Sequence, residues 1–275
     1  MSRYGIAEWF GEPFDRMGPT RRRELARAAL DKAGVLACPF QSGGKRCTKK
    51  GGVCSIRAGD GPVVITCPQR FDQGNILPRW LAQIVGFEDV YLAREVPFMR
   101  STNTAREAGR IDLVVSQDGD ATRWFGLEVQ AVYFQGDAMG PEFEALLTDD
   151  TPGVPAPMGK RRPDWRSSSA KRLMPQLQVK APTLMRWNSK LAVAVDMPFF
   201  EAVGGPSASP SQDLNDGDIV WLVPRMSGNY RLEPDHWEVL KLDASSEKLL
   251  SAKTVRRPDF ENALRSKLQR IGGVP

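Results

Sequence analysis

An aspartate, a glutamate and a glutamine stand in two short apolar runs in the first half of the chain. The first reads Gly109-Arg110-Ile111-Asp112-Leu113-Val114-Val115, the second Trp124-Phe125-Gly126-Leu127-Glu128-Val129-Gln130-Ala131. In a strand, alternate side chains share a face, so Glu128 and Gln130 point together while Leu127 and Val129 turn into the core. If the runs pair through Asp118-Gly119-Asp120, Asp112 lies beside Glu128. Two carboxylates and a carboxamide on one sheet face suit a hard divalent ion, and Mg²⁺ keeps several waters there. The chemistry would be in-line attack of water on a phosphodiester, with the metal polarising the phosphoryl oxygen, acidifying the water and stabilising the leaving oxygen. The order is D…E-x-Q where metal-dependent nucleases carry D…E-x-K; Gln130 holds no charge but can still position water or phosphate. The competing reading is a set of acidic and polar residues on a solvated face. Against it, Glu128 sits in a strand that is otherwise apolar, where a carboxylate needs a partner or a metal. Glu95, on the preceding strand, either completes the site or is an exposed strand glutamate.

Four cysteines form a second constellation: Cys38, Cys47, Cys54 and Cys67, spaced C-x8-C-x6-C-x12-C, with no other cysteine in the chain. Their neighbours are glycines and polar turn formers rather than the apolar runs that surround thiols used as small hydrophobes. That setting predicts one tetrahedral four-sulfur site for a structural metal, iron or zinc, which thiolate chemistry does not separate. The spacing lacks C-x2-C knuckles, so two disulfides or four unlinked thiols stay open as alternatives.

Lys and Arg outnumber Asp and Glu by 38 to 33, a formal charge of +5 over 275 residues. The excess permits a polyanionic partner without requiring one. A single histidine, His236, argues against Ser-His-Asp, Cys-His and histidine-rich metal mechanisms, and it receives no role. No signal-peptide pattern or bilayer-spanning apolar run is evident, so a cytoplasmic protein with no membrane partner is expected. Lys160, Arg161, Arg162, Arg166, Lys171 and Arg172 follow the acidic strands and are expected to contact DNA phosphates or bases; a solvated basic loop is the plainer alternative.

The elements that must position these groups read as follows. Residues 1–34 look helical, with a short apolar stretch over 5–10 and a basic helix from Pro19 through Ala33 that Gly34 ends. Residues 38–70 show no helical period. A helix over 77–85 closes at Gly86, and strand signals follow at 90–98, 110–116 and 123–134. A proline-, glycine- and charge-rich connector spans 136–166. A helical stretch over 167–187 is interrupted by Pro175 and Pro182. Buried strands are expected at 191–195 and 218–224, another strand at 237–242, and a basic helix at 258–271. The order indicates a mixed α/β core. Two parts are expected: residues 1–75, carrying the cysteine element, and 76–275, carrying the acidic site with DNA-contacting insertions.

The residues also resemble a family. Ile6-Ala7-Glu8-Trp9-Phe10-Gly11, Cys38-Pro39-Phe40, Gly52-Val53-Cys54 and Thr66-Cys67-Pro68-Gln69-Arg70 resemble the start of the NotI-like type II restriction endonucleases. Leu127-Glu128-Val129-Gln130 followed by Phe134-Gln135-Gly136 resembles that family's catalytic strand, in the same order along the chain. The likeness covers roughly the first half; beyond residue 140 it is loose, at Lys171-Arg172 and Gln176. It implies a PD-(D/E)XK core, a mixed central sheet flanked by helices, and a restriction-modification setting. It further implies Mg²⁺-dependent double-strand cleavage of DNA by a homodimer at a GC-rich palindrome. Asp112, Glu128 and Gln130 would form the active trio, with Asp112 and Glu128 holding Mg²⁺; the four cysteines would hold one structural metal, iron in that family. Two alternatives stand beside it: a non-catalytic four-cysteine nucleic-acid-binding protein, and a repair or structure-specific nuclease of the same fold.

Overall fold

The computed structural model describes residues 3–31, 36–252 and 255–269. Its N-terminal apolar stretch is a strand, not the expected helix. β1 (Gly5–Trp9) pairs antiparallel with β2 (Glu12–Pro13) and with β3 (Val53–Arg57), which in turn pairs with β4 (Val64–Ile65). All five β1 residues are buried, so the run lacks alternation, and periodicity cannot separate a short buried strand from a buried helical turn. The chain reverses after β1 at Phe10 and Gly11, where φ is +48° and +82°. A Cβ at Gly11 would lie 2.3 Å from Cγ of Pro39, so no other residue fits there.

The central sheet begins with the three expected strands: β5 (Val90–Arg100), β6 (Glu107–Gln117) and β7 (Trp124–Val129). β7 stops earlier than expected. Beyond it Val132 N–H donates to the β4 residue Ile65, and Phe134 opens a separate pair, β8 (Phe134–Gly136) with β9 (Arg161–Pro163). β10 (Leu191–Ala194), β11 (Ile219–Met226) and β12 (Leu232–Leu240) complete the order β12-β11-β10-β7-β6-β5. β10 runs parallel to both β7 and β11, and the remaining pairs are antiparallel.

Helices cover both faces, which is why β10 and β11 read as unbroken apolar runs. They are α1 (Pro19–Leu30), α2 (Ile76–Val85), α3 (Gly140–Leu146), α4 (Trp165–Ser168), α5 (Met174–Arg186), α6 (Met197–Ala202), α7 (Leu242–Leu250) and α8 (Arg257–Arg265). On one face α2 packs Leu77, Trp80 and Leu81 with Leu113, Leu127, Ala192 and Val220. On the other, Leu177, Ala181 and Leu184 of α5 join Val193, Trp221 and Phe199. A π-helical turn over Ser169–Leu173 leads into α5. The 136–166 connector is partly structural, since Phe143 of α3 stacks on Trp9 at 5.2 Å. The expected end of α1 at Ala33 and Gly34, and residues 270–271 of the terminal helix, lie outside the described residues. No described helix is long and apolar enough to cross a membrane.

Candidate active site

The hairpin between β6 and β7 sets the site. Gln117 and Arg123 close it by a backbone hydrogen bond, and the chain turns through Asp118 (φ +53°) and Gly119 (φ +72°). Leu113 then pairs with Leu127 and Val114 with Gly126, which brings Asp112 opposite Glu128. The expected convergence is therefore observed.

Each carboxylate is held by the other strand's backbone. Asp112 N–H donates to Glu128 Oε1 at 3.2 Å, and Val129 N–H donates to Asp112 Oδ2 at 3.0 Å. Glu128 is 1% exposed, and its other oxygen accepts from Lys180 Nζ of α5. Lys180 also donates to Gln176 Oε1 at 2.9 Å. Burial, and then the charge of Asp112, push the Glu128 carboxyl up to about 7, against the opposing pull of Lys180. Burial also raises Asp112, opposed by the Val129 N–H and the Lys180 charge. Gln130 is buried beside them; its backbone N–H donates to Ala194 and its side-chain amide to Ala131 O at 2.5 Å.

Asp112 and Gln130 line an open cleft of 770 Å³. The cysteine segment supplies one wall through Lys45, Thr48, Lys49 and Lys50, while Arg94 and Glu95 of β5 and Arg172 border the rest. Glu95 faces the cleft with φ +51°, an uncommon conformation for a glutamate. Asp112 and the Gln130 carboxamide on the floor, with the Glu128 carboxylate buried directly behind them, form an oxygen donor set that suits a hard divalent cation. A cation there would relieve the repulsion that raises Glu128.

The expected DNA-contacting residues separate into two groups. Arg172 reaches the cleft, its guanidinium 3.6 Å from the centre of the Tyr133 ring. Lys160, Arg162, Arg166 and Lys171 are exposed, with Arg162 and Arg166 around a shallower depression next to Tyr4. Arg161 is not at the surface: it is 2% exposed and pairs with Glu142 at 2.7 Å, because β9 turns Arg161 and Pro163 inward and Arg162 outward. Sequence reading passed over Lys45, Lys49 and Lys50 as cleft residues. It also gave Lys180 no place in the site, although a lysine in the apolar stripe of α5, with Leu177, Ala181 and Leu184, was a usable signal.

The expectation of an iron or zinc ion at the four cysteines is not supported. Cys38, Cys47, Cys54 and Cys67 are all buried free thiols. Among the described residues no three or more His, Cys, Asp or Glu side chains are grouped to hold a metal. Three of the sulfurs lie near acceptors: Cys47 near the Lys49 carbonyl at 3.8 Å, Cys54 near the Gly52 carbonyl at 3.5 Å and Cys67 near the Gln69 side chain at 3.1 Å. Burial pushes Cys67 up to about 11 and raises Cys47 and Cys54 as well. Polar bonds hold this lobe together. Arg70 pairs with buried Glu8 at 2.9 Å, and Ser55 donates to the same carboxylate at 2.9 Å.

The family model described as restriction endonuclease NotI matches residues 21–236. No curated protein matches the chain. The protein is thus a type II restriction endonuclease, a site-specific deoxyribonuclease that acts on DNA. It belongs to the NotI restriction endonuclease family.

Proposed function

We propose that Asp112, Glu128 and Gln130 form the centre at which this enzyme hydrolyses a DNA phosphodiester, on a core of the PD-(D/E)XK type. The observation that carries this reading is the reciprocal bonding of Asp112 and Glu128 across β6 and β7, with Asp112 on the floor of a cleft rimmed by cations and Glu128 buried beneath it. Asp112 and Glu128 would hold Mg²⁺, which when bound polarises the phosphoryl oxygen and acidifies water. Gln130, two residues beyond Glu128, orients the attacking water or a phosphate oxygen through its amide. Lys45, Lys50 and Arg172 bind backbone phosphates at the rim; such contacts fix register rather than sequence. Residues 1–75 serve as an accessory lobe that lends the lysine wall, and 76–275 as the nuclease domain.

A cut in both strands by one active site per chain calls for two copies related by a twofold axis, and hence a palindromic target. We assign the enzyme as a homodimer on a GC-rich palindrome, by analogy with its family. Incubation of purified protein with unmethylated phage DNA, in Mg²⁺ and in EDTA, tests the reading. Discrete fragments in Mg²⁺ alone support it, and the sequenced ends give the target. Fragments that persist in EDTA would exclude a metal-dependent centre.

A further inference from the structure

We propose that Lys180 is a positioning residue that brings to Glu128, from helix α5, the positive charge that the active strand lacks at position 130. The inference rests on the reading of Asp112 and Glu128 as the nuclease centre and goes one step beyond it, to a residue outside the strand motif.

The placement is unusual for a lysine. Lys180 is 6% exposed and occupies the sheet-facing stripe of α5 with Leu177, Ala181 and Leu184. Lysine is almost never buried unless paired, and a leucine there would pack against the sheet without the desolvation of an ammonium. What Lys180 provides instead is two bonds, to Glu128 Oε2 and to Gln176 Oε1. An ammonium has three N–H donors, so two are accounted for and one remains.

The position of the charge follows from the two scaffolds. Position 130 is the first residue past β7, so a lysine there would reach Glu128 from the end of that strand. Here position 130 is glutamine, and an ammonium meets the same carboxylate from helix α5 instead. Gln176, one helical turn before Lys180, lines the cleft together with Gln130 and Arg172. The bracing residue of Lys180 thus borders the place where DNA would enter. Two other buried pairs, Arg70–Glu8 and Arg161–Glu142, involve no residue that lines this cleft.

A lysine that only neutralises Glu128 for the sake of the fold predicts something different from one that serves cleavage. Three variants separate the two roles: Lys180→Met, Gln130→Lys, and the double variant that moves the ammonium from helix to strand. Each is measured for thermal unfolding, for DNA binding in EDTA and for single-turnover cleavage in Mg²⁺. Lys180→Met is expected to bind DNA near the wild-type level yet cut about 100-fold more slowly, a typical loss for one group acting on a transition state. The double variant keeps the charge count and is expected to recover at least about tenfold of that loss. Should Lys180→Met not fold, the double variant is compared with wild type directly, and cleavage within about tenfold of wild type supports the assignment. A folded, DNA-binding double variant that stays inactive overturns it, as does wild-type cleavage by Lys180→Met. Failure of the underlying reading has a separate signature, undiminished cleavage by Glu128→Gln.

Discussion

Asp112 and Glu128 hold each other in place across the β6–β7 pair: the N–H of Asp112 reaches Glu128 Oε1 at 3.2 Å, and the N–H after Glu128 reaches Asp112 Oδ2 at 3.0 Å. A shift of one residue in this pairing would turn the two carboxylates to opposite faces. The closed turn at residues 117–123 is therefore part of the site, since it sets the register that joins them.

The two arginines at opposite ends of the basic segment should respond differently to truncation. Arg161→Ala leaves Glu142 buried without its partner, and loss of one member of a buried pair costs about 3–5 kcal/mol. Urea unfolding should show that loss. Arg172→Ala should leave stability within about 1 kcal/mol, the scale of an exposed cation–π contact. It should weaken DNA binding and reduce the salt dependence by about one phosphate contact. Equal stability of the two variants would contradict the placement of Arg161.

Asp196 gives the fold a pH dependence. It is fully buried, accepts from Ile65 N–H at 2.6 Å and caps α6 through Phe199 N–H at 3.1 Å; burial pushes its carboxyl up to about 7. Between pH 4 and 7 the folded protein then binds more protons than the unfolded chain at this site, so stability falls as pH rises through that window. The rise from an ordinary 3.8 to about 7 corresponds to roughly 4 kcal/mol. Asp196→Asn, still a competent cap, should flatten the profile, gaining on wild type at pH 8 relative to pH 4 in denaturant titrations. An unchanged difference across that range would show that Asp196 does not titrate there.

The thiols can be counted. Denatured under non-reducing conditions, the chain should yield four reactive thiols, because all four cysteines are free. In the native protein they should react slowly, since the thiolate is the reactive form and burial raises Cys47, Cys54 and Cys67. Fewer than four in the denatured chain would indicate disulfides.

Much of the site could be read from the chain because it is local. Asp112 and Glu128 are joined by one hairpin, and strand alternation with turn residues is visible in a short window. Lys180 lies 52 residues beyond Glu128 in sequence, and only the packing of α5 brings them together. Arg161 shows the limit of reading charge as exposure: Lys160-Arg161-Arg162 looks uniformly solvated, yet β9 turns its first residue, Arg161, inward. The glycines around the cysteines suggested a loop wrapped on a metal. Several in fact serve positive-φ turns, among them Gly43, Gly44, Gly51 and Gly52. Gly5–Trp9 was misread because a strand buried throughout has no polar face to show its period.

Buried pairing also decides how the centre should be probed. Glu128→Ala would strand the Lys180 ammonium in the core and confound folding with chemistry, whereas Glu128→Gln keeps the shape and removes the charge. The most direct measurement compares wild type and Glu128→Gln in Mg²⁺, with DNA binding in EDTA and thermal unfolding recorded for both. Asp112 and Glu128 as the centre predict a folded, DNA-binding variant whose cleavage falls by about 10²-fold or more. Cleavage at the wild-type rate by folded Glu128→Gln would contradict it.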